Sequence, residues 1–224
     1  MSATLAFDVY GTLVNTHGVI SALEALIGEK AVLFSQTWRD KQLEYSFRRG
    51  LMQNYEPFAV CISNALDYTC LFYEINLTDE QKERLLASYR SLPPFKDVNG
   101  ALKKLKANNY RLFAFSNGTA NAVEGLLESA RIRDYFQGVI SVDDLSSFKP
   151  DPAVYNHFLR ESRSNGSETW LISSNPFDVI GAISAGMQAA WVKRSTSAIF
   201  DPWGIEPTIT VDNIGELLEK LANK

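Results

Sequence analysis

The chain has 224 residues, of which 46% are hydrophobic, 12% aromatic and 21% charged. These proportions are typical of a globular chain with a substantial buried core, and they exclude disordered and collagen-like chains. Because 22 Lys and Arg residues face 26 Asp and Glu residues, the net charge is −4, and no general positive field attracts nucleic acid or an anionic membrane. The two histidines are too few for a His-rich zinc site, so carboxylates are the first catalytic candidates.

The cysteines and the N-terminal segment predict the cellular compartment. Cys61 and Cys70 lie in a helical pattern on opposite faces of the helix, so no disulfide between them is expected. The first residues lack a basic start and include Asp8, which argues against a secretory signal. No apolar run reaches the roughly 18 to 20 residues that a membrane span needs. The sequence therefore predicts a cytoplasmic protein without membrane or nucleic-acid partners.

Short apolar segments that end in polar residues recur along the chain and predict strands. The first, residues 4–9, contains Asp8 near its end and runs into the turn Tyr10-Gly11-Thr12. Similar segments follow at residues 110–115, 138–142, 169–173 and 189–192, with a candidate sixth strand at 208–211.

Helical patterns alternate with these strands and begin at Thr119, Asp151 and Asn175. The alternation predicts an α/β fold, with a parallel β-sheet flanked by helices on both faces. Ligands of such sheets bind beyond the carboxyl ends of the strands. The polar residues predicted at these ends are Asp8, Ser116, Asn117, Ser174 and Asn175.

One interval, residues 17–94, breaks the alternation because its pattern is helical throughout. It contains amphipathic runs at residues 30–52 and 57–73 and a third helix opened by the capping box Thr78 to Gln81, and it returns at Pro93-Pro94. An all-helical insertion after the first strand would lie over the strand ends and close a site from water. We therefore predict a core domain of residues 1–16 and 95–224 and a helical cap domain of residues 17–94.

Four motifs stand in order at predicted strand ends or at the starts of the following helices. They are Asp8 to Leu13, Ser116 to Gly118, Lys149 within residues 147–152, and Ser173 to Asp178. Together they resemble the motifs of the haloacid dehalogenase superfamily over nearly the whole chain. The resemblance implies a Rossmann-like core, a nucleophilic Asp8, and either phosphoryl or carbon–halogen chemistry.

Two departures and one further segment distinguish between these chemistries. Superfamily phosphatases usually carry a second Asp two positions after the nucleophile, where this chain has Tyr10, and more acids in the fourth motif than Asp178 alone. Residues 38–46 resemble the cap-helix segment that supplies an arginine, here Arg39, in the L-2-haloacid dehalogenase branch. That resemblance implies hydrolysis of short-chain L-2-haloalkanoic acids to D-2-hydroxy acids by a homodimer, with neither metal nor cofactor.

The catalytic roles follow from the chemistry and the resemblance. Displacement of halide from a saturated carbon needs an aligned anionic nucleophile, which Asp8 supplies. Lys149 is expected to offset the charges of Asp8, Asp178 and the anionic substrate. Asp178 resembles the residue that orients or deprotonates the water that cleaves the ester on Asp8, and whether Asp178 or a partner is the base stays open. The remaining expected members are the halide cradle Arg39, Asn117 and Phe177, the residues Ser174 and Asn175 that position Asp178, and Thr12 of the first motif.

The resemblance also implies a set of substrate contacts. Ser116, with the backbone amides around Tyr10 and Asn117, is expected to bind the substrate carboxylate. The residues that match an apolar pocket for the alkyl group are Tyr10, Gln42, Leu43 and Phe58, and Tyr155 matches a tyrosine of the third motif. For Leu43 and the aromatic residues, ordinary packing is an equal alternative.

Two other functions stay open at this point. A magnesium-dependent phosphomonoesterase would share the same scaffold, and a non-catalytic binding protein could retain it, although a binding protein has little use for Asp8, Lys149 and Asp178 together. The residues His17 and His157 match no catalytic motif and are interpreted as structural, and the pair Asp143-Asp144 as solvated.

Overall fold

The strands form one parallel sheet in this computed structural model, which describes residues 3–223. Within those residues the spatial order of the six strands is β3-β2-β1-β4-β5-β6. The predicted α/β class is therefore confirmed. The strands are β1 Thr4–Phe7, β2 Arg111–Ser116, β3 Gly138–Ser141, β4 Thr169–Ser173, β5 Gln188–Val192 and β6 Ile209–Val211.

The central position of β1 brings three loops together. Phe7 pairs with Ala114 of β2 on one side and with Ile172 of β4 on the other. Because all strands run in the same direction, Asp8 after β1, Asn117 after β2 and Ser174 after β4 leave the sheet at the same edge. This register is what allows residues distant in the chain to form one site.

The first strand is shorter than its sequence pattern predicts. The Asp8 amide still bonds to the Ile172 carbonyl at 3.0 Å, but the Val9 carbonyl then accepts from the amides of residues 12–14 in a tight turn. Gly11 makes this turn with φ of +87°, where a side chain would be strained, and a Cβ there would lie 3.5 Å from the Ser174 hydroxyl. The turn places Asp8 at the sheet edge and not within the ladder.

Residues 3–223 contain nine α-helices, and two of the predicted start signals act as side-chain caps. Thr119 and Asp151 cap their helices by accepting hydrogen bonds from Ala122 and Ala153. The helices are α1 Ile20–Ile27, α2 Ala31–Leu51, α3 Phe58–Phe72, α4 Asp79–Ser88, α5 Val98–Ala107, α6 Ala120–Ser129, α7 Pro152–Glu161, α8 Pro176–Ser184 and α9 Leu217–Ala222.

Helices α1 to α4 occupy the interval between residues 17 and 94, where the structure has no named strand among the described residues. The capping box at α4 is formed as predicted, with reciprocal bonds between Thr78 and Gln81. Trp38 of α2 donates to the Ile62 carbonyl of α3 at 2.9 Å, which fixes the face of α2 that carries Arg39. The division of the chain into a separate cap and core stays a prediction.

Both cysteines, Cys61 and Cys70, are free and buried. Within residues 3–223, no helix has both the length and the apolar character needed to cross a bilayer.

Candidate active site

Asp8 lies at the edge of the sheet with two differently occupied carboxylate oxygens. Its Oδ2 accepts hydrogen bonds from Thr12 at 2.7 Å, from the Asn175 amide at 2.8 Å and from Ser173 at 3.4 Å. Its Oδ1 accepts from the Lys149 ammonium at 3.2 Å. The carboxylate is 10% exposed, so it is held firmly by neighbours yet still reachable.

Lys149 connects Asp8 to the second acid of the site. Its ammonium donates to Asp8, to Asp178 at 2.8 Å and to the Phe115 carbonyl at 2.9 Å, and the side chain is 1% exposed. Burial opposes the charged ammonium, but the carboxylates of Asp178 and Asp8 outweigh it and raise the pKa of Lys149. All three protons of this cation are therefore committed inside the protein.

Asp178 is fully buried in the first turn of α8 and has two side-chain partners. Lys149 binds its Oδ2, and the Tyr155 hydroxyl donates to its Oδ1 at 2.8 Å. Burial raises the pKa of Asp178 above the usual value; Lys149 opposes that rise, Asp8 adds to it, and the Tyr155 hydrogen bond lowers it. Tyr155 is fully buried on α7 with its hydroxyl bonded to Asp178, and its contact with substrate stays a prediction.

The expected role of Ser174 and Asn175 in positioning Asp178 stays a prediction: Asn175 contacts Asp178 through its backbone carbonyl, which accepts from the Asp178 amide at 3.1 Å, and both side chains face the Asp8 loop. The Ser174 hydroxyl donates to the Gly11 carbonyl at 2.8 Å, and the Asn175 amide donates to Asp8 and to the Tyr10 carbonyl. Asn175 occupies the N-cap of α8 without a capping side-chain bond, because its side-chain amide is turned toward Asp8. Both residues thus hold the Asp8 loop.

Ser173 is a site residue that the sequence interpretation missed. Its hydroxyl donates to Asp8 at 3.4 Å and accepts from the backbone N–H of Asn175 at 3.1 Å. Ser173 lies beside Asp8 because the Asp8 amide bonds to Ile172, the residue before Ser173, and this pairing is visible only in the structure.

Arg39 reaches the same loop from helix α2. Its guanidinium donates to the Tyr10 carbonyl at 3.2 Å and to Gln42 at 3.4 Å, and Gln42 in turn donates to the Tyr89 hydroxyl at 2.9 Å. Arg39 is 8% exposed and forms no ion pair within the described part of the chain. Its charge is therefore available to an anion beside Asp8.

Ser116 ends β2 and Asn117 follows it. The Asn117 side-chain oxygen accepts from the Lys149 backbone amide at 3.0 Å, and its Nδ2 has no hydrogen-bond partner among residues 3–223. The Ser116 hydroxyl is fully buried and accepts from the Gly118 amide at 3.1 Å. Their predicted contacts with halide and with the substrate carboxylate stay predictions.

Aromatic rings stand on two sides of the site. Tyr10 packs against Phe58 at 5.6 Å between ring centroids, and burial raises the pKa of Tyr10 to about 12, so its phenol stays neutral at physiological pH. On the other side, Phe177 meets Phe47 of α2 edge to face at 4.9 Å. Leu43 is half-buried, and its place in the alkyl pocket stays a prediction.

The two histidines, which are interpreted as structural, contact residues outside the group around Asp8. His17 lies 3.0 Å from the Ser35 hydroxyl, and His157 lies 3.5 Å from the largely exposed Asp144. Asp143 is not simply solvated, because the Tyr55 hydroxyl of the α2–α3 loop donates a hydrogen bond to it.

Within residues 3–223, no group of three or more His, Cys, Asp and Glu side chains is arranged to hold a metal ion. Asp8 and Asp178 are both paired with the same cation, the Lys149 ammonium.

The sequence and the fold both have known relatives. Haloacetate dehalogenase H-2 of Moraxella sp. strain B is 35% identical over 218 residues, with 97% of each chain covered. The (S)-2-haloacid dehalogenase of Pseudomonas putida is 34% identical over 219 residues, covering 98% of this chain and 96% of the relative. The solved structure of L-2-haloacid dehalogenase from Xanthobacter autotrophicus with chloropropionic acid covalently bound is 28% identical, with a TM-score of 0.90 and 99% of each chain covered.

The model of one protein family, described as haloacid dehalogenase-like hydrolase, matches residues 3–186. The match spans all four motifs and most of the sheet, and the relatives cover nearly the whole chain. The chain therefore belongs to the haloacid dehalogenase-like hydrolase family.

Proposed function

We propose that this protein hydrolyses short-chain L-2-haloalkanoic acids to D-2-hydroxyalkanoic acids and halide, through an ester on Asp8 and without a metal ion or cofactor. The observation that carries the proposal is that the Arg39 guanidinium, which forms no ion pair within residues 3–223, contacts the loop that follows β1 and bears the partly exposed Asp8 carboxylate. Relatives named as (S)-2-haloacid dehalogenases, similar over nearly their whole length, support the same reaction.

In the first step, a carboxylate oxygen of Asp8 attacks C2 of the substrate opposite the halogen. The new C–O bond forms as the C–halogen bond breaks, and the halide leaves with the bonding electrons. Oδ1 suits this role because it accepts one hydrogen bond, whereas Oδ2 has three donors within reach. The attack inverts C2, which converts an L-haloacid into a D-configured ester.

The leaving halide needs donors and an apolar wall, because it cannot be assisted by proton transfer as an alkoxide can. The Arg39 guanidinium, the free Nδ2 of Asn117 and the ring of Phe177 supply these groups. Tyr10 stands where superfamily phosphatases usually carry a second Asp that protonates the leaving group. Its phenol is neutral and has a raised pKa, which suits a halide because a halide leaves without taking a proton.

In the second step, water attacks the ester carbonyl carbon of Asp8, and Asp178 receives its proton. The charge that develops on Oδ2 meets donors already in place, Asn175 and Thr12. The bond between that carbon and Oδ1 then breaks, Oδ1 leaves as the product hydroxyl after taking the proton held by Asp178, and the water oxygen stays on Asp8. Because C2 is not attacked again, one inversion remains.

A change at Tyr155 tests the role of Asp178. An unprotonated base is required, so activity is lost as pH falls through the pKa of Asp178, and the raised pKa places this loss at higher pH than for an ordinary Asp. Tyr155→Phe removes the hydroxyl that stabilises the carboxylate, so the acid limb of kcat is expected to move to higher pH by roughly half to one unit. The matched control is Tyr135→Phe, whose hydroxyl donates to the exposed Asn99 side chain at 2.7 Å, away from Asp178. An unmoved acid limb would contradict the role of Asp178.

The proposal includes a cap formed by residues 17–94 and a cytoplasmic homodimer. Arg39 on α2 supports the cap, because the insertion supplies a group that the sheet edge lacks. Large apolar side chains exposed at the end of α3, Leu71 and Phe72, support self-association.

Substrate choice tests the proposed function directly. Chloride should be released from L-2-chloropropionate and not from the D enantiomer, at the same rate with and without a chelator, and p-nitrophenyl phosphate should not be hydrolysed. Magnesium-dependent phosphate release that stops with chelator would instead support a phosphomonoesterase. If neither substrate reacts, the non-catalytic binding protein becomes the better interpretation.

A further inference from the structure

A cavity of about 500 Å³ lies between α3, the end of α4 and α6. Five of its lining residues are exposed, Arg90 and Gly125 among them, so the cavity reaches the protein surface. Four others are buried, and of these Tyr10 and Tyr89 form the inner wall on the side of Asp8.

This inner wall is in direct contact with the reacting groups. The Tyr10 carbonyl accepts hydrogen bonds from Arg39 and Asn175, and the Tyr89 hydroxyl accepts from Gln42. A small molecule that passes Tyr10 therefore meets the loop that carries Asp8.

A second cavity, of about 630 Å³, approaches the site from the side of Phe177. Its lining includes two charged residues, Lys149 and Asp151. The Lys149 ammonium is committed to Asp8 and Asp178, which leaves the exposed Asp151 carboxylate to repel an anion.

Arg90 places a positive charge at the first cavity, whereas the second cavity has the negative charge of Asp151. Arg90 is exposed and forms no ion pair or side-chain hydrogen bond with the rest of residues 3–223. An unpaired cation at the mouth of a cavity attracts anions over distances near the Debye length, which matters in a protein whose net charge is −4.

We propose that this cavity is the passage by which a haloacid anion reaches Asp8, and that Arg90 is a steering residue that attracts the substrate carboxylate to it. The inference rests on the proposed function. The passage accounts for how an anion enters a site whose own acids, Asp8 and Asp178, lie deep in a negatively charged protein.

Charge reversal at the mouth tests the steering role. Arg90→Glu is expected to lower kcat/KM for L-2-chloropropionate about three- to tenfold at about 0.01 M ionic strength, with kcat nearly unchanged, because the chemistry takes place farther inside. The difference should shrink below about twofold at about 1 M of a halide-free salt. Lys103→Glu makes the same charge change on an exposed part of α5 that lines neither cavity, and it should have little effect.

Narrowing the cavity tests the passage independently of charge. A Cβ at Gly125 meets nothing within 4 Å, so Gly125→Phe can extend into the cavity without clashing at its base. We expect kcat/KM to fall about fivefold or more, and to fall further for 2-haloacids with longer alkyl chains. Gly100→Phe is the matched control, because Gly100 is also helical and equally open but lies outside both cavities.

The outcomes separate this inference from the proposed function. Loss in both cavity variants and in neither control supports the passage. If wild-type protein releases halide and the variants at Arg90 and Gly125 match their controls, the passage is contradicted while the proposed function stands. If wild-type protein releases no halide from any 2-haloacid, both fall together.

Discussion

Replacement of Asp8 by Asn is expected to reduce halide release by a factor of about 10⁴ or more, because an amide oxygen is not a competent nucleophile at C2. The fold should persist, since Asn has nearly the same volume and Lys149 keeps its contact with Asp178. Chloride release from L-2-chloropropionate and thermal unfolding followed by circular dichroism measure the two effects. Asp144→Asn is the matched control, because it removes an acid that is largely exposed.

Isotope labelling distinguishes a nucleophile from a residue that merely binds substrate. After many turnovers of wild-type protein in ¹⁸O-water, the Asp8 carboxylate should carry solvent oxygen, because hydrolysis at the ester carbonyl leaves one water oxygen on it in every cycle. Mass spectrometry of the peptide that contains Asp8 detects the label. An active protein with unlabelled Asp8 would contradict the ester mechanism, as would an Asp8→Asn variant that retains a substantial rate.

Lys149→Met should have the largest combined effect on stability and activity. It leaves the carboxylates of Asp8 and Asp178 buried together without a cation, and the loss of one partner from a buried ionic network typically costs about 3 to 5 kcal/mol. Halide release should also be lost. Urea unfolding near neutral pH measures the cost, which should diminish as pH falls, because protonation removes the charges that Lys149 neutralised.

Two further variants make this result specific. Lys149→Met combined with Asp178→Asn should recover part of the lost stability without recovering activity. Lys103→Met, at an exposed position on α5, should change the free energy of unfolding by less than about half a kcal/mol. A stability loss in Lys149→Met that is small or independent of pH would show that the buried charges do not act as described.

The sheet and its catalytic edge could be predicted from sequence because both depend on simple patterns. Apolar segments ending in polar residues located the strands to within two residues, and the common direction of parallel strands placed Asp8 and Asn117 at one edge. Arg39 is a different case. Helical periodicity says only that it is on a helix, and its place over the Tyr10 loop depended on the resemblance of its segment to a known one.

The remaining details depend on side-chain directions that no pattern specifies. Every residue of β4 is buried, so alternation could not show whether Ser173 or Ser174 faces Asp8. Asn175 has the signature of a helix cap, yet its side-chain amide donates to Asp8. Arg90 resembles any solvated charge in sequence, and only the packing of three helices reveals the cavity beside it.

The three-way contact of Asp8, Lys149 and Asp178 gives the proposed reaction an internal order. Before reaction, two anions share one cation, and repulsion from Asp8 contributes to the high proton affinity of Asp178. When Asp8 becomes an ester, it loses its charge, and the ammonium is left with a single anionic partner. Formation of the ester on Asp8 thus removes one cause of the raised pKa of Asp178. In the proposed reaction, Asp178 therefore holds a proton less strongly after the first step, when it has to act as a base.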